Sequence, residues 1–145
     1  MTTVDALQTA LEAEHAALFV YGVLGAQTSQ SATPELFSGV SDAYAAHRSR
    51  RDHLTRLVLD AGEAPVAAEA AYKIPKPLGK PVLVARAALE IERAASETYA
   101  WLVANTVATE RRWAITALTD AAVRELMFRG SPEIFPGAHE LADRR

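Results

Sequence analysis

The chain has 145 residues, half of them apolar, a length typical of one domain with one sizeable core. The net charge is −3 and the basic residues are spread along the sequence, which argues against nucleic acid or an anionic membrane as a partner. Cysteine is absent, so disulfides, thiolate zinc sites and thiol nucleophiles are excluded. Any metal would have to be held by histidine and carboxylates.

One long apolar run, residues 16–26, is too short to span a bilayer. Asp5, Glu12 and Glu14 precede it, where a signal peptide would carry basic residues. We therefore expect a soluble, cytoplasmic protein.

Apolar residues recur at three-four spacing in four segments, and no segment has the alternating pattern of a strand. Thr33 followed by Pro34 is a typical start of a helix, while Gly62 and Gly130 are typical ends. The chain is thus expected to form a single all-α domain over residues 1–145. The predicted helices cover residues 3–27, 34–61, 82–107 and 109–128, followed by a tail, residues 129–145, that could fold back through Ile134 and Phe135.

The connection between the second and third helices, residues 62–81, contains four prolines and is not expected to be helical. About twenty residues can extend to roughly 60 Å, whereas a helix of two dozen residues is only about 36 Å long. The connection can therefore run the full length of a bundle, and the second and third helices can lie parallel.

A titratable residue interrupts the apolar line of each helix near its middle: Glu14, His47, Glu92 and Asp120. In a four-helix bundle these interruptions would lie at similar height and face one another. Isolated buried charges cost several kcal/mol each, so the four groups must be paired, protonated or bound to a metal.

Four helices, a long crossover between the second and third, and inward acids near mid-helix resemble the ferritin-like fold. Its di-iron members carry one Glu on the first and third helices and Glu-x-x-His on the second and fourth. Glu14 and Glu92 match the single-Glu positions. Residues 47–50, however, read HRSR, and residues 120–123 read DAAV, so both Glu-x-x-His motifs are missing.

The whole chain also resembles an actinobacterial ferritin-like family of unknown function. The resemblance lies in five stretches in a fixed order: EHAALFVYGVLGA, AHRSRRDHL, LEIERAASETYAWLVA, ITALTDAAVREL and a late FPG. It implies the fold and a small oligomer, which we expect to be a homodimer, and it supplies no activity.

Three interpretations of the polar residues follow. In the first, which we favour, the metal site is degenerate and the protein is a non-catalytic binding or structural bundle without a cofactor. Arginine cannot ligate a metal and repels cations, so arginines near the acids indicate charge pairing instead. The buried network would then comprise Glu14, His47, Arg50, Arg51, Glu92, Asp120 and Arg124.

The alternative is a metal-dependent oxidoreductase or iron-handling protein with an altered ligand set. Iron or manganese would be held by Glu14, His47, Glu92 and Asp120, three carboxylates and one imidazole. A third possibility is a small anionic molecule bound between the helices by the arginines.

Aromatic residues on the same faces carry two further expectations. Tyr21, Tyr44 and Tyr99 lie on inward lines, so we expect their hydroxyls to bond the buried acids. Trp101 lies on a mostly polar face of the third helix, where it could contact a second copy in an oligomer or pack against the crossover.

Overall fold

The structure is a computed structural model that describes residues 2–129 and 134–137. Four helices, α1 (Thr3–Ala26), α2 (Pro34–Asp60), α3 (Pro81–Asn105) and α4 (Ala108–Arg129), form a four-helix bundle. No strand occurs in the described ranges. The predicted all-α bundle with a long crossover is confirmed.

The first three helices begin where local chemistry favours a start. Thr2 and Asp5 form a capping box at α1, with each side chain bonded to the other residue's backbone N–H. Pro34 and Pro81 occupy the first turns of α2 and α3, where a missing N–H costs nothing. Thr33 stands at the N-cap of α2, but its hydroxyl donates to the Ser29 carbonyl and not to the helix.

Contacts between side chains give the directions of the helices. Near one end of the bundle, Leu7 and Leu11 of α1 share an apolar cluster with Leu54 and Val58 of α2 and Leu102 of α3. A second cluster at the other end joins three further residues from the same helices, namely Leu24, Val40 and Val84. Hence α1 runs antiparallel to both α2 and α3, and α2 and α3 are parallel.

Residues 61–80 link the parallel helices and lie along α1. The Gln8 side chain accepts from Val66 N–H at 2.8 Å and donates to the Ala64 carbonyl at 2.7 Å. His15 Nε2 lies 3.1 Å from the Val66 carbonyl oxygen. Phe19 packs on Tyr72 with ring centroids 5.5 Å apart. The crossover is therefore fixed to the bundle by both polar and aromatic contacts.

The face that α4 presents to the core lies one position away from the line of Asp120 that the sequence predicts to face inward. Two large apolar residues of α4, Val123 and Met127, are 60% and 51% exposed. The buried side is made of small residues, Ala114, Ala117 and Ala121, which allow α4 to pack closely against the rest of the bundle. On α3, Trp101 is also buried within the chain, so it is not an exposed oligomer contact.

The late FPG segment contacts α3 through its glycine. A Cβ on Gly137 would lie 2.7 Å from the Ser96 carbonyl oxygen, and the glycine has φ +75°. Ile134 and Phe135 are 87% and 75% exposed, so the expected return of the tail through these two side chains is wrong. The remainder of the predicted tail, residues 130–133 and 138–145, lies outside the described residues. None of the described helices is long and apolar enough to cross a membrane.

Candidate functional site

A polar layer separates the two apolar clusters, and its centre is made of three side chains from three helices. His47 Nδ1 lies 2.6 Å from Glu14 Oε2, and His47 Nε2 lies 3.1 Å from Glu92 Oε1. All three side chains are almost completely buried, with exposures of 0% for His47, 3% for Glu14 and 0% for Glu92. The imidazole therefore connects α1, α2 and α3 at mid-bundle.

Two buried tyrosines also donate to these acids, while Glu92 Oε2 is buried without a hydrogen-bond partner among the described residues. Tyr99 OH donates to Glu14 Oε1 and Tyr21 OH donates to Glu92 Oε1, each at 2.5 Å. Burial and the neighbouring carboxylate charges raise the pKa of both hydroxyls far above their usual range. Both tyrosines therefore remain protonated donors. Tyr44, in contrast, is 40% exposed and lies outside this layer.

His47 carries a positive charge in this setting. Burial alone would lower its pKa, but the Glu14 charge and the hydrogen bonds to both acids raise the pKa to about 9. Each ring nitrogen faces a carboxylate oxygen, an arrangement in which both nitrogens donate only if the ring is an imidazolium. A cation thus sits between two acids without any metal.

Arg50 extends the network toward α4. Its Nη2 donates to Asp120 Oδ2 at 2.5 Å and to the Ala117 carbonyl at 3.3 Å, while its guanidinium carbon lies 5.2 Å from the centroid of the Tyr99 ring. Burial opposes its charge, but the interactions with Tyr99 and with the carboxylates of Glu14, Glu92 and Asp120 more than compensate and raise the Arg50 pKa. Arg124 approaches the same Asp120 carboxylate at 3.4 Å.

Arg51 lies apart from this network. Its guanidinium bonds the adjacent Asp52, with Nη2 2.6 Å from Oδ1, and both side chains are partly exposed. Successive residues on a helix point about 100° apart, so α2 can turn only one of the two neighbouring arginines toward α4. That residue is Arg50, which is 6% exposed.

A buried acid on α4 was not predicted from the sequence. Glu125 is 2% exposed and accepts a short hydrogen bond from Ser96 Oγ of α3. It continues the spacing of the buried alanines at positions 114, 117 and 121. The spacing of these small residues is the sequence signal that could have placed Glu125 inside.

The charges of the central network balance. Three carboxylates face three cations; the carboxylates are those of Glu14, Glu92 and Asp120, and the cations are His47, Arg50 and Arg124. Such balance is what makes burial of ionised groups tolerable, although Asp120, predicted to be buried with the others, has a side chain that is 42% exposed.

The residues present do not fit a metal ion as they are arranged. In the described part of the chain, no three His, Asp or Glu side chains are grouped so that they could hold one. A ligating histidine needs a free nitrogen lone pair, and both His47 nitrogens are directed at carboxylates. Asp120, the fourth residue of the predicted ligand set, is linked to the other three through Arg50.

Comparison with known proteins places this architecture in a family. A family model described as Domain of unknown function (DUF4439) matches residues 6–140. The chain belongs to this family. No curated protein matches the DUF4439 chain.

A solved structure is similar to this DUF4439 protein over nearly its whole length. It is the crystal structure of a conserved hypothetical protein, rv2844, from Mycobacterium tuberculosis. The two chains are 29% identical with a TM-score of 0.80, and the match covers 92% of this chain and 94% of the other.

Proposed function

We propose that this DUF4439 protein is a non-catalytic, ferritin-like bundle with a binding or structural role, in which an ion-pair network occupies the position of a di-metal centre. The observation that carries the proposal is the double engagement of His47, whose two ring nitrogens bond Glu14 and Glu92. These acids are the residues that resemble the single glutamates of di-iron ferritin-like proteins. The imidazolium supplies there the positive charge that a metal would otherwise bring.

The ferritin-like, actinobacterial relationship is part of this proposal. It is supported by the long crossover between parallel helices and by single acids near the middle of α1 and α3. The occupied ligand atoms favour the metal-free form, since both His47 nitrogens already face carboxylates and Asp120 already pairs with Arg50.

The competing function is an iron- or manganese-dependent oxidoreductase or iron-handling protein, and it would require His47 to release a proton and a carboxylate. Elemental analysis separates the two. The untagged protein, purified without chelator, is incubated anaerobically with iron, manganese or zinc, desalted and analysed. We expect far less than one metal per chain. One or two metals per chain, absent from Glu92→Ala, would contradict the proposal.

We also propose that the protein forms a homodimer, through the outer face of α4 and not through Trp101. The outer face of α4 carries the exposed apolar side chains of Ile115, Val123 and Met127 at a spacing that places them on one stripe. Exposed apolar stripes of this kind favour association, and a second copy presents the same stripe, so the contact can be symmetric.

A further inference from the structure

A cleft between α1 and α3 leads from the surface to the polar layer. Its volume is about 310 Å³, at the lower end of the usual range for small-molecule sites. Glu14, His47 and Tyr99 form part of its lining, and Pro75 of the crossover closes one side. The walls are mainly small apolar side chains, including Ala13, Ala16, Ala17, Ala94 and Ala95.

The floor of the cleft offers hydrogen-bond acceptors and no free N–H donor. Both His47 nitrogens bond carboxylates, and the Tyr99 hydroxyl hydrogen is directed at Glu14. Oxygen lone pairs remain on Glu14 and on the Tyr99 hydroxyl, since each oxygen can accept more than one hydrogen bond. Thr98 adds one hydroxyl that can donate or accept. A ligand that reaches this floor must therefore bring the donors.

The charged residues around the cleft also favour a ligand that carries donors and a positive charge. Glu90 lines it together with Glu14, whereas Arg50, Arg51 and Arg124 are not part of the lining. Among the lining residues, two acids, Glu14 and Glu90, stand beside one cation, His47, and Glu90 also accepts from Arg93 at 2.8 Å. An anionic ligand, as considered from the sequence, would meet neither a free N–H donor nor an arginine among the lining residues.

We propose that this cleft binds a small aliphatic amine in its protonated form, with the ammonium group at Glu14 and the Tyr99 oxygen and the apolar chain along the alanine walls. An ammonium group supplies three donors and one positive charge, which matches both features of the floor. A cavity of about 150 Å³ accepts benzene, so this cleft has room for a body of roughly six to twelve heavy atoms. The inference rests on the proposed metal-free network, because that network engages both His47 nitrogens and the Tyr99 hydroxyl as donors to carboxylates.

Isothermal titration of the full chain with n-hexylammonium tests the proposal, with 1-hexanol and hexanoate as probes of the same length. We expect saturable one-to-one binding of hexylammonium, and binding of the alcohol and the carboxylate weaker by at least about tenfold. Equal affinity for all three probes, or no saturable heat from hexylammonium at millimolar concentration, would overturn it.

A matched pair of variants on α3 locates the binding. Ala94 lines the cleft and Ala104 does not, while both residues are exposed, so Leu is tolerated by the fold at either position. Ala94→Leu should weaken hexylammonium binding by at least about tenfold, and Ala104→Leu should leave it within about twofold. Unchanged binding in Ala94→Leu would overturn the assignment of the cleft.

Metal content is measured on the same preparations. Metal-free protein that does not bind hexylammonium contradicts the amine site alone. Stoichiometric metal contradicts the proposed function, whatever the titration shows. The two failures are therefore distinguishable.

Discussion

His47 Nδ1 lies 2.6 Å from Glu14 Oε2, in a buried contact that joins α2 to α1 at the centre of the bundle. The other ring nitrogen contacts Glu92 of α3 at 3.1 Å, so one side chain links three helices. In a low-dielectric interior, a cation that faces two acids stabilises the fold only while all three groups remain ionised. Because the stabilisation depends on ionisation, both a change in pH and a substitution in the network should change the free energy of unfolding.

Stability should fall as the pH rises above neutrality. The folded-state pKa of His47, about 9, lies above the value near 6.5 of an unfolded chain. Its contribution, on the order of 3 kcal/mol, is therefore fully present below about pH 6.5 and is lost as the pH rises through about 9. Guanidinium denaturation over this range measures the loss.

His47→Gln should flatten that pH dependence, whereas His53→Gln should preserve it. Burial and Arg56 lower the pKa of His53, so the contribution of His53 changes below about pH 6.5, outside the window. An identical decline in the wild type and His47→Gln would show that His47 is not the group responsible.

Removal of one buried acid should cost far more than removal of an exposed one on the same helix. Glu14→Ala leaves the His47 charge with one partner fewer and Tyr99 without an acceptor, so we expect a loss of about 3 to 5 kcal/mol in unfolding free energy. Glu12→Ala, two residues earlier and exposed, should change it by less than about 0.5 kcal/mol. Addition of chelator should change neither of these differences in unfolding free energy. If Glu14→Ala were less stable than the wild type only in the absence of chelator, the metal interpretation would be favoured.

Substitution of the two adjacent arginines of α2 should lower the free energy of unfolding by very different amounts. Arg50→Ala removes a buried partner of Asp120 and the stacking on Tyr99, and should cost about 3 kcal/mol. Arg51→Ala removes a partly exposed pair with Asp52 and should cost less than about 1 kcal/mol. Equal losses in the two denaturation curves would contradict the placement of Arg50 inside.

The proposed dimer should depend on α4. Val123→Glu places a charge on the exposed apolar stripe and should produce a monomer in sedimentation equilibrium. Leu59→Glu is the control, because Leu59 is 55% exposed on α2, outside the stripe. A wild-type monomer at micromolar concentration would refute the dimer itself.

The sequence was sufficient to predict the four helices and most of the polar layer. Periodicity of apolar residues identifies helices directly, and Pro34, Pro81 and Gly62 mark their ends by restricting the backbone. Glu14, His47 and Glu92 were recognisable because each interrupts an apolar line. Their contact follows from the antiparallel packing that the long crossover permits.

Two features could not be predicted because they depend on packing between helices. The face that α4 turns to the core is set by the close approach of Ala114, Ala117 and Ala121. These side chains are less hydrophobic than Val123 and Met127, so a hydrophobic pattern in the sequence does not identify them as the buried face. The choice between Arg50 and Arg51 also depends on packing between helices, because both residues fit an inward line of α2. Only the position of Asp120 on α4 shows that Arg50 is the buried partner.

The most direct test of the central claim is the protonation state of His47, read by ¹⁵N NMR of its imidazole ring at neutral pH. We expect both ring nitrogens to be protonated at neutral pH and the ring to lose one proton with a pKa of about 9, and we expect the ¹⁵N chemical shifts not to change when iron, manganese or zinc is added. A neutral ring with one bare nitrogen at pH 7, or a shift of that nitrogen on addition of metal, would contradict it.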